Sequence, residues 1–554
     1  MLSFFKNSAG LFKKQQQDIL SAAFIIGFSV AASGVLGLVR YRLLASYFGS
    51  DIKLLDSFIA ASVLPDAIFE VLIFGTIALA FIPVFSQYIN NDDLKKAWSL
   101  TSKMISLGLL VFAIFTIFML FFAKQIAPLI APGVIGEYPQ SQLIIARLLQ
   151  IMTVGQFFFV FSIFITGILQ SFQRFLVPAL ASVFYNVGII LAIIFLSPAL
   201  GIYAPAVGMV IGALLHLLIQ IPMATSLGYK FHLDIDFKSK DVKDMFALMW
   251  PRTVALGILR LSDVINISLA SLAAAGTIVA FNFAQVLQLE PVSLFAASLA
   301  QAALPALALQ YNAKKFNDFK KTFTESLHQI LFLILPTAAI LAVLRIPVVR
   351  LVFGARELPW EVTVLTGRTL IAFSIGIAAQ SVSLLLLRGY HATRDSMTPV
   401  KINIASVVIN IAMSVVFIKV LHLSVIYLAL AYSTANIINA LLMLYVLDKK
   451  VNFNKKEVLT PAIKMILISA ITAVALYIPM KFLDQLVFDT TKTVGLLLLT
   501  SLATLVGLIV YISLSIIFKV KEVAIFFNLA RRVILLPAKL SKPTIPPIEV
   551  QEKT

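Results

Sequence analysis

The sequence predicts an all-α polytopic membrane protein of about fourteen transmembrane helices, built as two pseudo-symmetric six-helix lobes followed by two C-terminal helices. Three observations predict it. Of 554 residues, 60% are hydrophobic and 13% are charged, against roughly 45–50% and about 25% in soluble domains, so a water-facing particle would leave most of its apolar surface wet. The apolar residues are gathered in runs of the length a helix needs to cross a bilayer, about 20 residues. Short motifs recur in the same order, at one spacing, in the two halves of the chain.

The residues before Leu20 are largely polar and basic (Lys6, Lys13, Lys14), and the apolar run that follows has no small-residue cleavage site, so it reads as a spanning helix and not a signal peptide. Spans fall at 20–48, 57–89, 97–123, 142–171, 177–198, 203–227, 246–273, 277–310, 324–354, 362–387, 398–418, 424–447, 460–481 and 493–518. Basic residues crowd alternate connections: Lys95/Lys96, Arg174, Lys230 to Lys243, Lys314 to Lys321, Arg394/Lys401 and Lys449 to Lys456. The other connections hold little beyond Lys53, Lys124, Arg356, Lys419, Lys481 and Lys492. That bias predicts both termini inside, on the cytoplasmic face. It also accounts for the formal charge of +18, so nucleic acid is not an expected partner.

Zero Cys removes disulfides and thiolate chemistry. No G-x-x-x-x-G-K-[ST] or H-E-x-x-H pattern is present, and the five His are scattered without ligand spacing. The expected class is therefore a secondary transporter, not an enzyme. It needs no cofactor and draws energy from the membrane potential or a coupled monovalent ion.

The repeat gives the organisation. Leu44-Ala45-Ser46 recurs as Leu269-Ala270-Ser271, Ala-x-Ala-x-x-Pro at 78–83 recurs at 300–305, Pro178 as Pro399, Asn186 as Asn410, and Ile202-Tyr203 as Ile426-Tyr427. The reading is an N-terminal lobe at 1–230, a cytoplasmic linker at 231–245 with the makings of an amphipathic surface helix, a second lobe at 246–450, two extra helices at 451–520 and a tail at 521–554. Six is even, so both copies share one orientation and the substrate site is expected between them.

Ionisable groups inside spans are costly unless they face water or a partner. Arg40 and Arg42 lie late in the first span, Asp56, Asp66 and Glu70 in the second, Arg252, Arg260 and Asp263 in the seventh, and Glu290 in the eighth. These four spans are equivalents, so the groups converge on the groove between lobes. Arg42 is near enough to the outer interface to snorkel, Arg260 and Asp263 stand at i, i+3 and can neutralise each other, and Asp66 and Glu70 can pair with Arg40. Arg40, Arg260, Asp56, Asp66, Glu70 and Glu290 form the candidate substrate site. Asn266, Asn410, Ser414 and Thr434 are either an oxygen-lined monovalent-cation site or interhelical hydrogen bonding. Pro65, Pro83, Pro291 and Pro305 mark expected kinks in the second and eighth spans.

Ser33 to Arg40 (SGVLGLVR), Leu44 to Gly49 (LASYFG), Asp56-Ser57-Phe58, Leu64-Pro65, Gly75 and Ala80 to Pro83 (AFIP) together resemble the opening signature of the MurJ/MviN lipid II flippases, members of the multidrug/oligosaccharidyl-lipid/polysaccharide exporter superfamily. Arg174-Phe175, Arg368 to Gly376 (RTLIAFSIG) and Thr398 to Ile402 (TPVKI) extend the resemblance along the chain. It implies fourteen helices in two lobes and a cationic central cavity for the pyrophosphate-sugar headgroup of lipid II. A groove by the last two helices would take the polyprenyl tail, with membrane lipids and cell-wall synthesis proteins as further partners. Family members commonly carry arginine where this chain has Gly34, Phe69 and Val286, and an acid where it has Phe74; Arg40 and Asp56 carry over by position. The rival functions are export of another lipid-linked oligosaccharide or of a cationic drug, and a transport-dead cell-wall scaffold.

Overall fold

The computed structural model describes residues 19–71, 81–236 and 238–524. The expected tail beyond 524, the basic N-terminal residues, Phe74, Gly75 and the side chains of Phe69 and Arg252 lie outside the described residues. The principal helices are α1 (Ile19–Phe48), α2 (Ile52–Phe69), α3 (Leu94–Ile130), α4 (Ser141–Ser171), α5 (Leu176–Leu200), α6 (Tyr203–Leu218), α7 (Lys240–Ala270), α8 (Thr277–Pro291), α9 (Phe316–Val343), α10 (Trp360–Ala392), α11 (Met397–Val415), α12 (Ile426–Val451), α13 (Lys455–Phe482) and α14 (Thr493–Ile517). No strand occurs among the described residues. Eleven of the described helical segments are long and apolar enough to cross a membrane, and α1, α2 and α7 occupy the positions of the other three expected spans.

The two halves pack alike. In the first, α1 packs on α5, α5 on α6, α6 on α4, α4 on α3, and α2 on α4; the second repeats this order with α7, α11, α12, α10, α9 and α8. The duplication also appears in the backbone. Outside glycine, positive φ is rare because Cβ meets the following carbonyl, yet Asp92 and Lys314, Gln173 and Arg394, Gly201 and His422, and Gly228 and Asn452 all adopt it, at separations of 222, 221, 221 and 224 residues. Equivalent helices therefore end at equivalent positive-φ residues. The last pair, α13 and α14, is attached to the second lobe, α13 packing on α9 and α14 on α13.

Three expectations change. The ninth span breaks at Leu344 and resumes as a short helix, Arg345–Phe353, because Pro347 fixes φ and donates no hydrogen bond to the preceding turn. The eighth carries a π-helical stretch, Val292–Ala297, directly after Pro291, and runs on as Ser298–Asn312 through Pro305. Residues 229–236 form no helix on the inner surface. They run as a strap along the first lobe, where Asp234 N–H donates to Ser106 Oγ (3.0 Å), Lys103 Nζ pairs with Asp236 (2.9 Å), and the rings of Phe161 and Phe231 meet at 4.8 Å. Asp236 Oδ1 accepts the N–H groups of Lys238 (2.9 Å) and Ser239 (3.1 Å), which turns the chain into α7.

Candidate functional site

The lobes meet through α2, α7 and α8. At the end that the basic-loop bias assigns to the outside, they are joined by backbone-directed contacts. Asp56, 1% exposed, accepts the N–H of Gly276 at 2.6 Å and of Val279 at 2.9 Å. Those amides belong to the first turn of α8, where a helix has unpaired donors and a partial positive charge, so a carboxylate from one lobe caps a helix of the other. Gly276 has φ +87°, a conformation a side chain would strain. Beside it, Gly133 N–H donates to Ser271 Oγ (3.1 Å) and Ser268 Oγ to Leu129 O (2.9 Å). A Cβ on Gly133 would fall 1.8 Å from Ser271 O, so only glycine allows this approach. Tyr41, Phe283 and Phe353 stack below, with Phe283 and Phe353 centroids 4.3 Å apart.

Deeper in the groove, Arg260 on α7 forms an ion pair with Glu70, following α2, and another with Asp263 at 3.0 Å. Arg260 and Glu70 side chains are 43% and 36% exposed although both lie within expected membrane spans, as groups facing a water-filled lumen do. Asp66, one turn before Glu70, is likewise exposed and lies within the fields of Arg40, Glu70 and Arg260. Arg40 sits 4.9 Å from the Tyr41 ring centroid and beside Tyr185 of α5. It makes no salt bridge with a described carboxylate. Glu290 reaches the other lobe: a Cβ built on Gly34 would lie 3.1 Å from Glu290 Oε2. Val286, where the resemblance expects arginine, is half-buried among apolar neighbours.

The six expected substrate residues thus divide. Arg40, Asp66, Glu70 and Arg260 share one network, Glu290 lies against α1, and Asp56 stands apart as the outer cap. Arg42 crosses to the second lobe and donates to Leu351 O at 2.6 Å. Between the lobes, two described guanidiniums, Arg40 and Arg260, face four carboxyls, Asp66, Glu70, Asp263 and Glu290. This is far from a simple cationic cradle. Tyr185, beside Arg40, had no sequence signal.

The uncharged cluster is assembled inside the second lobe. Ser262 Oγ donates to Asn410 Oδ1 (2.8 Å), Asn266 Nδ2 to the same oxygen (3.1 Å) and Ser414 Oγ to Asn266 Oδ1 (3.0 Å), while Thr434 Oγ1 donates to Leu430 O (2.8 Å). The amide oxygens a cation would use already accept protein donors, and no group of three metal-ligating His, Asp or Glu occurs among the described residues. Next to the cluster a cavity of about 310 Å³ opens, lined among others by Arg260, Asp263, Gln380, Asn403, Tyr432 and Asn436.

Two repeated helical lobes with charged, partly exposed groups between them define a polytopic membrane transporter. The lipid II flippase MurJ family profile matches residues 44–490, and this chain belongs to that family. It is 24% identical over 433 residues to the lipid II flippase MurJ of Burkholderia cenocepacia, covering 77% of this chain and 83% of that one. It is similar in structure to a lipid II flippase MurJ in an inward closed conformation, with TM-score 0.74, 25% identity and coverage of 89% and 98%. An inward-facing multidrug resistance MATE transporter of the MOP superfamily shares the fold, with TM-score 0.66, 14% identity and coverage of 76% and 94%.

Proposed function

We propose that this chain is a flippase that carries lipid II, the lipid-linked peptidoglycan precursor, from the inner to the outer leaflet of a bacterial cytoplasmic membrane, with both termini inside. The observation that carries the reading is the lumen whose charged groups come from both lobes, beneath a cap made by one lobe on a helix of the other. The headgroup enters from the inner side. Arg40 offers its guanidinium to the diphosphate, and Arg260 exchanges Glu70 for the second phosphate, so substrate entry weakens a bond between lobes. Release of the Asp56 cap then opens the outer end while the polyprenyl tail stays in lipid beside α13 and α14. No nucleotide is required: moving one charge through 100 mV is worth about 2.3 kcal/mol, so an inside-negative potential drives a dianionic headgroup outward by roughly 4–5 kcal/mol. The neutral Asn266–Asn410–Ser414 cluster is better suited to holding α7 on α11 than to coupling an ion.

The test is replacement of the resident flippase in a bacterium depleted of it. The wild-type chain should restore growth and prevent lipid II accumulation, and Arg40→Ala should fail at unchanged expression. Normal growth of Arg40→Ala would remove Arg40 from the mechanism. Failure of the wild-type chain to move lipid II in proteoliposomes would overturn the substrate.

The excess of carboxyls over guanidiniums around the lumen favours a second reading, export of a cationic compound. Native mass spectrometry with lipid II against a cationic dye separates the two, since only one should be retained by wild type and lost on Arg40→Ala.

A further inference from the structure

At the outer end, away from the lumen, lies a cavity of about 630 Å³ lined by Arg42, Ser46, Arg350, Arg356, Glu357, Thr491 and Thr493. We infer that it is a binding site for the phosphate of a membrane lipid held in the outer leaflet.

Three guanidiniums converge there on a single carboxyl, Glu357, and none of the three forms a salt bridge with a described acid. Two of the guanidiniums are fixed in place. Arg42 donates to Leu351 O at 2.6 Å, and Arg350 donates to Thr490 O at 2.8 Å and lies 5.9 Å from the Trp360 ring centroid. Each of these bonds uses one of five donors, leaving preorganised forks of the shape that phosphate oxygens match. The Thr493 and Ser46 hydroxyls add donors suited to the remaining oxygens.

The surroundings point to a lipid and not to a free ion. Tyr47 and Trp360, 41% and 56% exposed, stand at this level as interfacial aromatic residues do. On α14, whose first turn lines the cavity, Val494, Leu497 and Leu498 are 70%, 52% and 42% exposed, so the helix beside the cavity presents apolar surface of the kind a hydrocarbon chain covers. The cavity is built from α1, the α9–α10 connection and the α13–α14 connection, so an occupant would bridge both lobes and the extra helix pair. Two lipid classes carry this chemistry, an anionic phospholipid and a polyprenyl diphosphate.

The full chain is purified in detergent and titrated separately with phosphatidylglycerol, undecaprenyl diphosphate, diacylglycerol and inorganic pyrophosphate, with lipid retention read by native mass spectrometry. Arg350→Gln/Arg356→Gln should lower retention of the phosphate-bearing lipids roughly tenfold or more, as loss of charge-assisted hydrogen bonds predicts. The exposed Arg356→Gln alone should give a smaller loss without risk to folding, and Lys419→Gln, at an exposed cation that does not line the cavity, none. Tighter retention of undecaprenyl diphosphate than of phosphatidylglycerol would assign the site to the exported lipid, and equal retention to phospholipid; both support a lipid phosphate. Retention unchanged in the double variant, or diacylglycerol held as well as the phosphate lipids, would overturn the site. Displacement of bound lipid by equimolar pyrophosphate would also overturn it. Because binding and not transport is read, the result stands apart from the flippase assignment.

Discussion

The Asp56 carboxylate of α2 accepts the N–H of Gly276 at 2.6 Å, on the other lobe and 220 residues away in the chain. A second bond, from Val279 N–H at 2.9 Å, makes the group a two-point clasp on the start of α8. Both donors lie in a region where Asp56 is almost fully shielded from water.

The clasp should set the balance between outer-closed and outer-open states. Asp56→Ala strips two buried amides of their acceptor, at about 1–3 kcal/mol, which is a roughly 5- to 150-fold population shift toward opening. The chain has no cysteine, so a cysteine replacing lumen-facing Gln285, which donates to Asp263 at 3.5 Å, reports on access without background. A membrane-impermeant maleimide added outside should label that cysteine several-fold faster in the Asp56→Ala background. Equal rates would show that the closure is carried by other contacts.

Among the described residues, Arg260 pairs with acids from both lobes, Glu70 across the boundary and Asp263 on its own helix. Both partners of the cross-lobe pair are well over a third exposed or close to it, so solvent screening limits the pair to about 0.5–1 kcal/mol. Arg260→Gln should therefore shift the thermal midpoint by about 2 °C at most while lowering complementation strongly. Adding Glu70→Gln to it should recover part of the activity, since the orphaned carboxylate would otherwise repel an anionic headgroup. A midpoint drop of the size expected for a folding defect, with no recovery in the double variant, would make the pair structural.

Glu290 stands where the family's arginine at position 34 would project, with Oε2 only 3.1 Å from a Cβ built on Gly34. The neighbour is the far end of a flexible side chain, so a larger residue fits once Glu290 turns aside. Gly34→Arg should fold and form an ion pair with Glu290. Gly34→Arg/Glu290→Gln frees the guanidinium and should raise lipid II retention several-fold over Gly34→Arg alone. Native mass spectrometry checks this, and equal retention by the two variants would place position 34 outside the headgroup path.

The helices and their pairing were legible because hydropathy and the repeated motifs are properties of the chain itself. Leu44-Ala45-Ser46 and its copy at 269–271 both end helices that lead to the lobe boundary. The convergence of Arg40, Asp66, Glu70 and Arg260 was legible for the same reason, since equivalence of α1, α2, α7 and α8 follows from the repeat. What escaped was anything that depends on which way a side chain reaches across a gap. Arg42 chose a backbone carbonyl, Leu351 O, over the interface, and Asp56 found backbone amides; backbone partners leave no mark in a sequence. The break at Leu344 was masked because Arg345–Phe353 is apolar enough to read as a continuation.

Asp395 gives a pH test of the second lobe. It precedes α11, accepts Thr398 N–H at 3.0 Å and Thr398 Oγ1 at 2.8 Å, and forms an ion pair with Lys450 at the end of α12. Burial pushes its carboxyl up, but the Lys450 and Thr398 hydrogen bonds outweigh this and hold it down at about 2, from an ordinary 3.8. A carboxyl depressed on folding stabilises the fold above its unfolded value and ceases to do so as pH falls through its folded value. The bond should therefore contribute in full at pH 5 and above, and fade between about pH 4 and 2. The position 221 residues earlier is Arg174, and the helix that follows it, α5, has no side-chain cap, so the effect is confined to one lobe. Asp395→Ala should cost about 1–2 kcal/mol, after discount for the half-exposed Lys450. Thermal unfolding in detergent should show wild type above the variant at pH 7 and 5, with the gap closing toward pH 2. A gap that persists at the lowest pH would mean that the variant disturbs packing and that the charge of Asp395 contributes little.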